Sequence, residues 1–122
     1  MLKGRLLTES LRVGAEVRVE GLRLTLVSRQ DVSASAVGAQ PRTWTFVDFE
    51  AADEVADLLA AALAEALLTE GGWYADFWVD NDHVVVFAGA VFRYGPGDWA
   101  GRAQAVEHGR SVGVPAHQLD WP

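Results

Sequence analysis

The chain contains no cysteine and, from Thr43 to Phe92, no lysine or arginine. The first absence excludes a disulfide framework and any thiolate-held metal. The second is harder to explain, because the same residues carry ten Asp and Glu. The other 72 residues carry ten bases and seven acids, so the net charge of −7 divides into −10 for the middle and +3 for the flanks. An excess of acid argues against nucleic acid as a partner, since phosphates demand a basic footprint. Also missing is an apolar run of the roughly eighteen residues that a membrane span needs. "MLKGRLLTESLRVG" has neither the long apolar core nor the cleavage site of a signal peptide. The expectation from these absences is a cytoplasmic protein with no membrane and no nucleic-acid partner.

What is present suits one globular domain, 1–122. Half of the residues are apolar and 22% are charged, and a chain of this length can bury a core unaided. "VRVEGLRLTL" (17–26) alternates apolar and polar residues on both sides of Glu20-Gly21, which predicts a hairpin; its cost is Arg18 opposite Arg23. Residues 28–42 are small, polar and broken by Gly38 and Pro41, so they read as a long, mobile loop with a ragged strand start. "TWTFVDFE" (43–50) is aromatic and β-branched, hence a third strand.

A helix is predicted from Asp53 to Thr69, with Asp53 as N-cap and Gly71-Gly72 as its stop. Val55, Leu58, Leu59, Ala62, Leu63, Ala66 and Leu67 fill one half of the wheel, and acids separated by alanines fill the other. Two further strands, 73–79 and 83–94, are joined by Asp80-Asn81-Asp82, with Gly89 read as a bulge in the second. A weaker helix starts after Asp98, with Trp99, Ala103 and Val106 on its buried side. The order is β-β-β-α-β-β-α: an α+β domain with one antiparallel sheet of about five strands and two helices mainly on one face.

Signatures of chemistry are scarce. His83, His108 and His117 lack the spacing of metal ligands, and Asp80, Asp82 and His83 run into "VVVF" rather than a calcium loop. No G-x-S-x-G elbow occurs, and "YGPGDWAGR" lacks the spacings of a phosphate-binding loop. Neither metal nor cofactor is expected, and no catalytic residue stands out. Two rows of alternating side chains do: Tyr74, Asp76, Trp78 and Asp80 on one strand, and Trp44, Phe46, Asp48 and Glu50 on another. Rings set among carboxylates dock arginines through cation–π contacts and bidentate pairs.

The leading expectation is therefore a non-enzymatic module that binds a basic protein, in an inhibitor-like or immunity-like role. Its contact residues would be Trp44, Asp48, Glu50, Tyr74, Asp76, Trp78 and Asp80, and the partner would supply the missing cations. Two alternatives stand beside it. One is a small enzyme or ligand-binding protein with a carboxylate-lined pocket near Asp76, Asp80 and His83. The other is a homodimer formed through the open sheet face.

Overall fold

In the first residues Leu2, Gly4 and Leu6 alternate with Lys3 and Arg5, and this period of two forms strand β1 (Leu2–Leu7). The computed structural model describes residues 1–122. After a 3-10 turn at Thr8–Ser10, strands β2 (Arg23–Asp31) and β3 (Thr43–Ala51) follow. Then come helix α1 (Ala56–Ala66), strands β4 (Ala75–Val79), β5 (Asp82–Phe87) and β6 (Ala90–Tyr94), and helix α2 (Trp99–Ser111). All pairings are antiparallel, in the order β2-β3-β1-β4-β5-β6. No helix is long and apolar enough to cross a membrane.

The expected class holds: one antiparallel sheet with two helices in an α+β domain. The sheet has six strands rather than about five, for three reasons. β1 was not foreseen. Residues 17–20 are not a strand. Ala88-Gly89, with Gly89 at φ 74°, is a turn that splits 83–94 into β5 and β6 rather than a bulge within one strand.

The hairpin expected over 17–26 keeps its turn, with Leu22 N–H donating to Val19 O at 3.1 Å and Gly21 at φ 81°. It loses its first arm. β2 pairs instead with β3, where Arg23 meets Glu50 rather than Arg18, and a ladder of eight pairs replaces a short one. Val19 is buried in the main core, and Val17 and Leu22 pack against it. β2 also runs on to Asp31, into the stretch read as loop. The remaining loop is tethered: Gln40 is buried and donates to Gly71 O at 2.8 Å, and Arg42 donates to Ala36 O at 2.8 Å.

Besides a smaller third core around Trp44, Trp73 and Ala36, the faces of the sheet bury two main cores. On one, Leu59, Ala60, Leu63 and Ala66 of α1 pack over Leu2, Phe49, Ala51, Ala75, Phe77, Val79, Val84 and Val86. On the other, Ala105 of α2 joins Val85, Phe87 and Tyr94, with Val114, Leu119 and Trp121 from the C-terminal stretch. The helices thus lie on opposite faces rather than mainly on one, since successive residues of β5 point opposite ways and α1 covers Val84 and Val86 while α2 joins Val85 and Phe87. α2 reaches only the β5–β6 end, so the β2-β3-β1-β4 part of that second face has no helix over it.

The helices differ in detail from their expected wheels. Asp53 opens a 3-10 turn, Asp53–Val55, and caps nothing with its side chain; α1 ends at Ala66 because Leu67 pairs with Leu11 and Leu68 N–H donates to Ser10 O. The axis is rotated so that Ala56 and Ala60 face inward and Leu58 faces out. α2 begins as expected, with Asp98 Oδ1 accepting from Gly101 N–H at 2.9 Å. Its buried residues are Ala105 and Gly109, while Trp99 and Ala103 are exposed.

Candidate functional site

The part of the second face that α2 does not reach is covered by the 32–42 loop, where Ala36 and Val32 pack on Trp44, Phe46 and Trp73 in a third small core, and beside it lies a cleft of about 290 Å³. β1 supplies Arg5 and Leu7, β3 supplies Trp44 and Phe46, and the lead into β4 supplies Trp73, Tyr74 and Asp76. Ser35 from the 32–42 loop and His117, Gln118 and Asp120 from the C-terminal stretch close the rim. Gln118 Nε2 donates to Ser35 O at 2.8 Å and His117 Nε2 to the same oxygen at 2.9 Å, so the rim is a connected structure. Trp73 departs from the alternation read along its strand. Gly71 and Gly72, both at positive φ, break the register before Ala75, and the ring turns to meet Trp44 edge-on at 5.6 Å. The indole N–H of Trp44 is buried with no hydrogen-bond partner.

Asp76 lines this cleft and begins a row of three groups. Its Oδ2 lies 2.7 Å from Nε2 of His83, whose Nδ1 lies 2.7 Å from the Tyr94 hydroxyl. His83 is only 1% exposed. Trp78 stacks on its ring at 4.3 Å and 11°, and Trp121 meets it edge-on. The row is satisfied when the imidazole carries its proton on Nε2, donating to Asp76, and Tyr94 donates to Nδ1. Burial pushes the Tyr94 hydroxyl above its ordinary range; Arg102 draws it down and Asp76 pushes it up.

The cations that residues 43–92 lack come largely from the chain itself. β1 and β2 flank β3, so Arg5 grips Asp48 through two bonds of 2.6 and 3.1 Å, and Arg23 pairs with Glu50. Arg93 of β6 pairs with Asp82 at 2.8 Å. The bond from Arg5 holds the Asp48 carboxyl below the usual carboxylate range, and the same bond raises Arg5. Arg5 also lies over the Phe46 ring at 5.1 Å. Five of the ten acids, Glu54, Asp57, Glu65, Glu70 and Asp80, make no ion pair.

The seven contact residues expected from the sequence therefore separate. Trp44, Tyr74 and Asp76 meet in the cleft. Asp48 and Glu50 lie farther along β3 in a shallow depression with Lys3 and Thr25, neutralised by their arginines. Trp78, 39% exposed, lines a second cleft with Tyr94, Trp99 and Arg102. Asp80 stands in the β4–β5 turn at φ 51° and does not line the cleft. Arg5, His117, Gln118 and Asp120 were not foreseen. Arg5 was legible in the alternation of "LKGRLL"; nothing local marks the other three, which arrive by the fold of the C-terminal stretch. No group of three or more His, Asp or Glu side chains converges in a way that could hold a metal.

No family model, no curated protein and no solved structure matches this chain.

Proposed function

We propose that the protein is a non-catalytic recognition module that binds a basic protein through the sheet face that bears the cleft, with the cleft taking one lysine or arginine side chain as anchor. One observation carries this reading: four rings, Trp44, Phe46, Trp73 and Tyr74, line a cleft whose carboxylates, Asp76 and Asp120, have no lysine or arginine paired with them. The one arginine in its wall, Arg5, stands across from Asp76 in the sheet and feels its charge, but its hydrogen bonds go to Asp48. A guanidinium or ammonium entering there gains ring faces and charge-assisted hydrogen bonds together. A single buried arginine at the centre of a contact is a frequent source of binding energy. A nuclease, whose own site attracts phosphate, has the surface chemistry to be such a partner, and the net charge of −7 would speed the encounter.

The test is titration with an extended peptide bearing one central arginine, and with its lysine and glutamine counterparts, followed through the indole N–H resonances of the five tryptophans. Trp44 and Trp73 should shift saturably with arginine and lysine and not with glutamine. Asp120→Asn, a change at an exposed residue that pairs with nothing in the fold, should weaken binding about tenfold, or about 1.4 kcal/mol for one charge-assisted contact. Equal responses to arginine and glutamine, or an unaltered affinity in Asp120→Asn, would count against the reading.

The row Asp76–His83–Tyr94 favours a second reading, a small enzyme or ligand-binding protein that uses Asp76 as a proton acceptor in the cleft. Under that reading a free amine saturates the site without any flanking peptide.

A further inference from the structure

One long edge of the sheet is unguarded. β2 pairs only with β3, and none of its residues makes a backbone hydrogen bond outside the sheet. Leu24, Leu26 and Val27 are 58%, 47% and 60% exposed. They occupy both faces: Leu24 and Val27 register with Phe49 and Val47 on the α1 side, and Leu26 with Asp48 on the other. The strand "RLTLVSRQD" contains no lysine and no proline, and its two arginines, Arg23 and Arg29, are drawn to Glu50 and Thr45 of β3 rather than guarding the edge. A long edge with three exposed apolar side chains and free N–H and C=O groups is a template for another strand.

We infer that this edge is covered by the β2 strand of a second copy, paired antiparallel about a two-fold axis at Val27, so that two sheets become one. β2 complements itself in this arrangement, as a two-fold contact requires. With the irregularity between Leu24 and Leu26 absorbed as a bulge, Val27 meets Val27, Leu26 meets Ser28, Leu24 meets Arg29 and Arg23 meets Gln30. No two like charges stand opposite each other, and the methylenes of Arg29 lie over the exposed Leu24 of the other copy. One strand ladder is narrower than a standard interface of about 1,600 Å², so the dimer forms in a concentration-dependent way. The site is distinct from the cleft, and neither proposal depends on the other.

Sedimentation equilibrium of the full chain should give a weight-average mass that rises with concentration toward twice that of one chain. Val27→Lys should hold the monomer mass at every concentration while keeping the parent's circular dichroism. Because the chain lacks cysteine, Val27→Cys provides one thiol per copy. Oxidised glutathione should then link dilute Val27→Cys several-fold faster than Val91→Cys, whose site is 45% exposed on the opposite edge strand β6. A mass of one chain at all concentrations, or linkage at position 27 no faster than at position 91, overturns the proposal.

Discussion

Alkali should unfold this protein through Tyr74. The ring packs edge-on against Trp121 at 5.2 Å and against Phe87 at 6.1 Å, and its hydroxyl donates to Gln118 O at 2.9 Å. Burial holds the proton in place and, although Trp121 beside the hydroxyl favours the phenolate, nearby Asp76 and Asp120 repel it, so the pKa is pushed from 10.0 to about 12. The unfolded chain releases this proton near the lower value and the native chain near the upper one. Between them the native state binds more protons, so stability falls as pH rises; the contribution is intact below pH 10 and lost by about pH 12. Two pH units at about 1.36 kcal/mol each come to about 3 kcal/mol, a large part of the ~5–15 kcal/mol that holds a domain of this size. Tyr94, also raised by burial, acts with the same sign. Denaturant midpoints measured from neutral pH upward should therefore stay level and then fall steeply. Tyrosinate absorbance should rise together with the loss of near-ultraviolet dichroism, not ahead of it. Tyr74→Phe should flatten the decline. If both tyrosines ionise near pH 10 with the fold intact, or if Tyr74→Phe leaves the slope unchanged, the burial argument fails.

Two further substitutions test the packing by denaturant midpoint. Leu63→Ala empties a fully buried position under α1 and should cost about 2–5 kcal/mol, whereas Leu58→Ala, on the outer face, should change stability by less than about 0.5 kcal/mol; equal effects would mean that the helix is rotated from its described orientation. Gly4→Ala should cost at least about 1–3 kcal/mol, since the added carbon overlaps Asp76 O and Phe77 Cβ and stands 2.6 Å from Phe49 Cζ; a neutral Gly4→Ala would mean that β1 does not lie this close to β4.

Elements whose signal is local were legible, and elements decided by competition were not. The β4–β5 hairpin was readable because Asp80 and Asn81 supply the two positive φ values, 51° and 67°, that a tight turn needs. Asp98 announced the start of α2 for a similar reason. By contrast, "VRVEGLRLTL" offers Arg23 either Arg18 or Glu50 as its neighbour, and only the fold brings Glu50 near. α1 obeys the 3.6-residue period, but Leu58 lies at the border of the apolar arc, where a small rotation of the helix decides exposure. Of the candidate site, Trp44, Tyr74 and Asp76 were readable because aromatic and acidic side chains alternate along strands. The partners that neutralise Asp48 and Glu50 were not, because strand order is not written in any one strand. The same holds for Asp120 and His117 at the rim, which reach the cleft across the whole length of the chain.

The position of β1 governs how the molecule assembles. Leu2 to Leu7 is the first strand in the chain, yet it lies between β3 and β4 and is the only hydrogen-bonded join between the β2-β3 pair and the β4-β5-β6 meander. Leu2 waits for Ala51 on one side, and Gly4 for Phe77 on the other. The meander can zip through short turns, but the sheet as a whole closes only when the earliest segment returns to its centre, a non-local step that slows folding. Until then the apolar side chains of the first strand have nowhere to go, and two half-sheets present their raw inner edges to whatever chain is nearby.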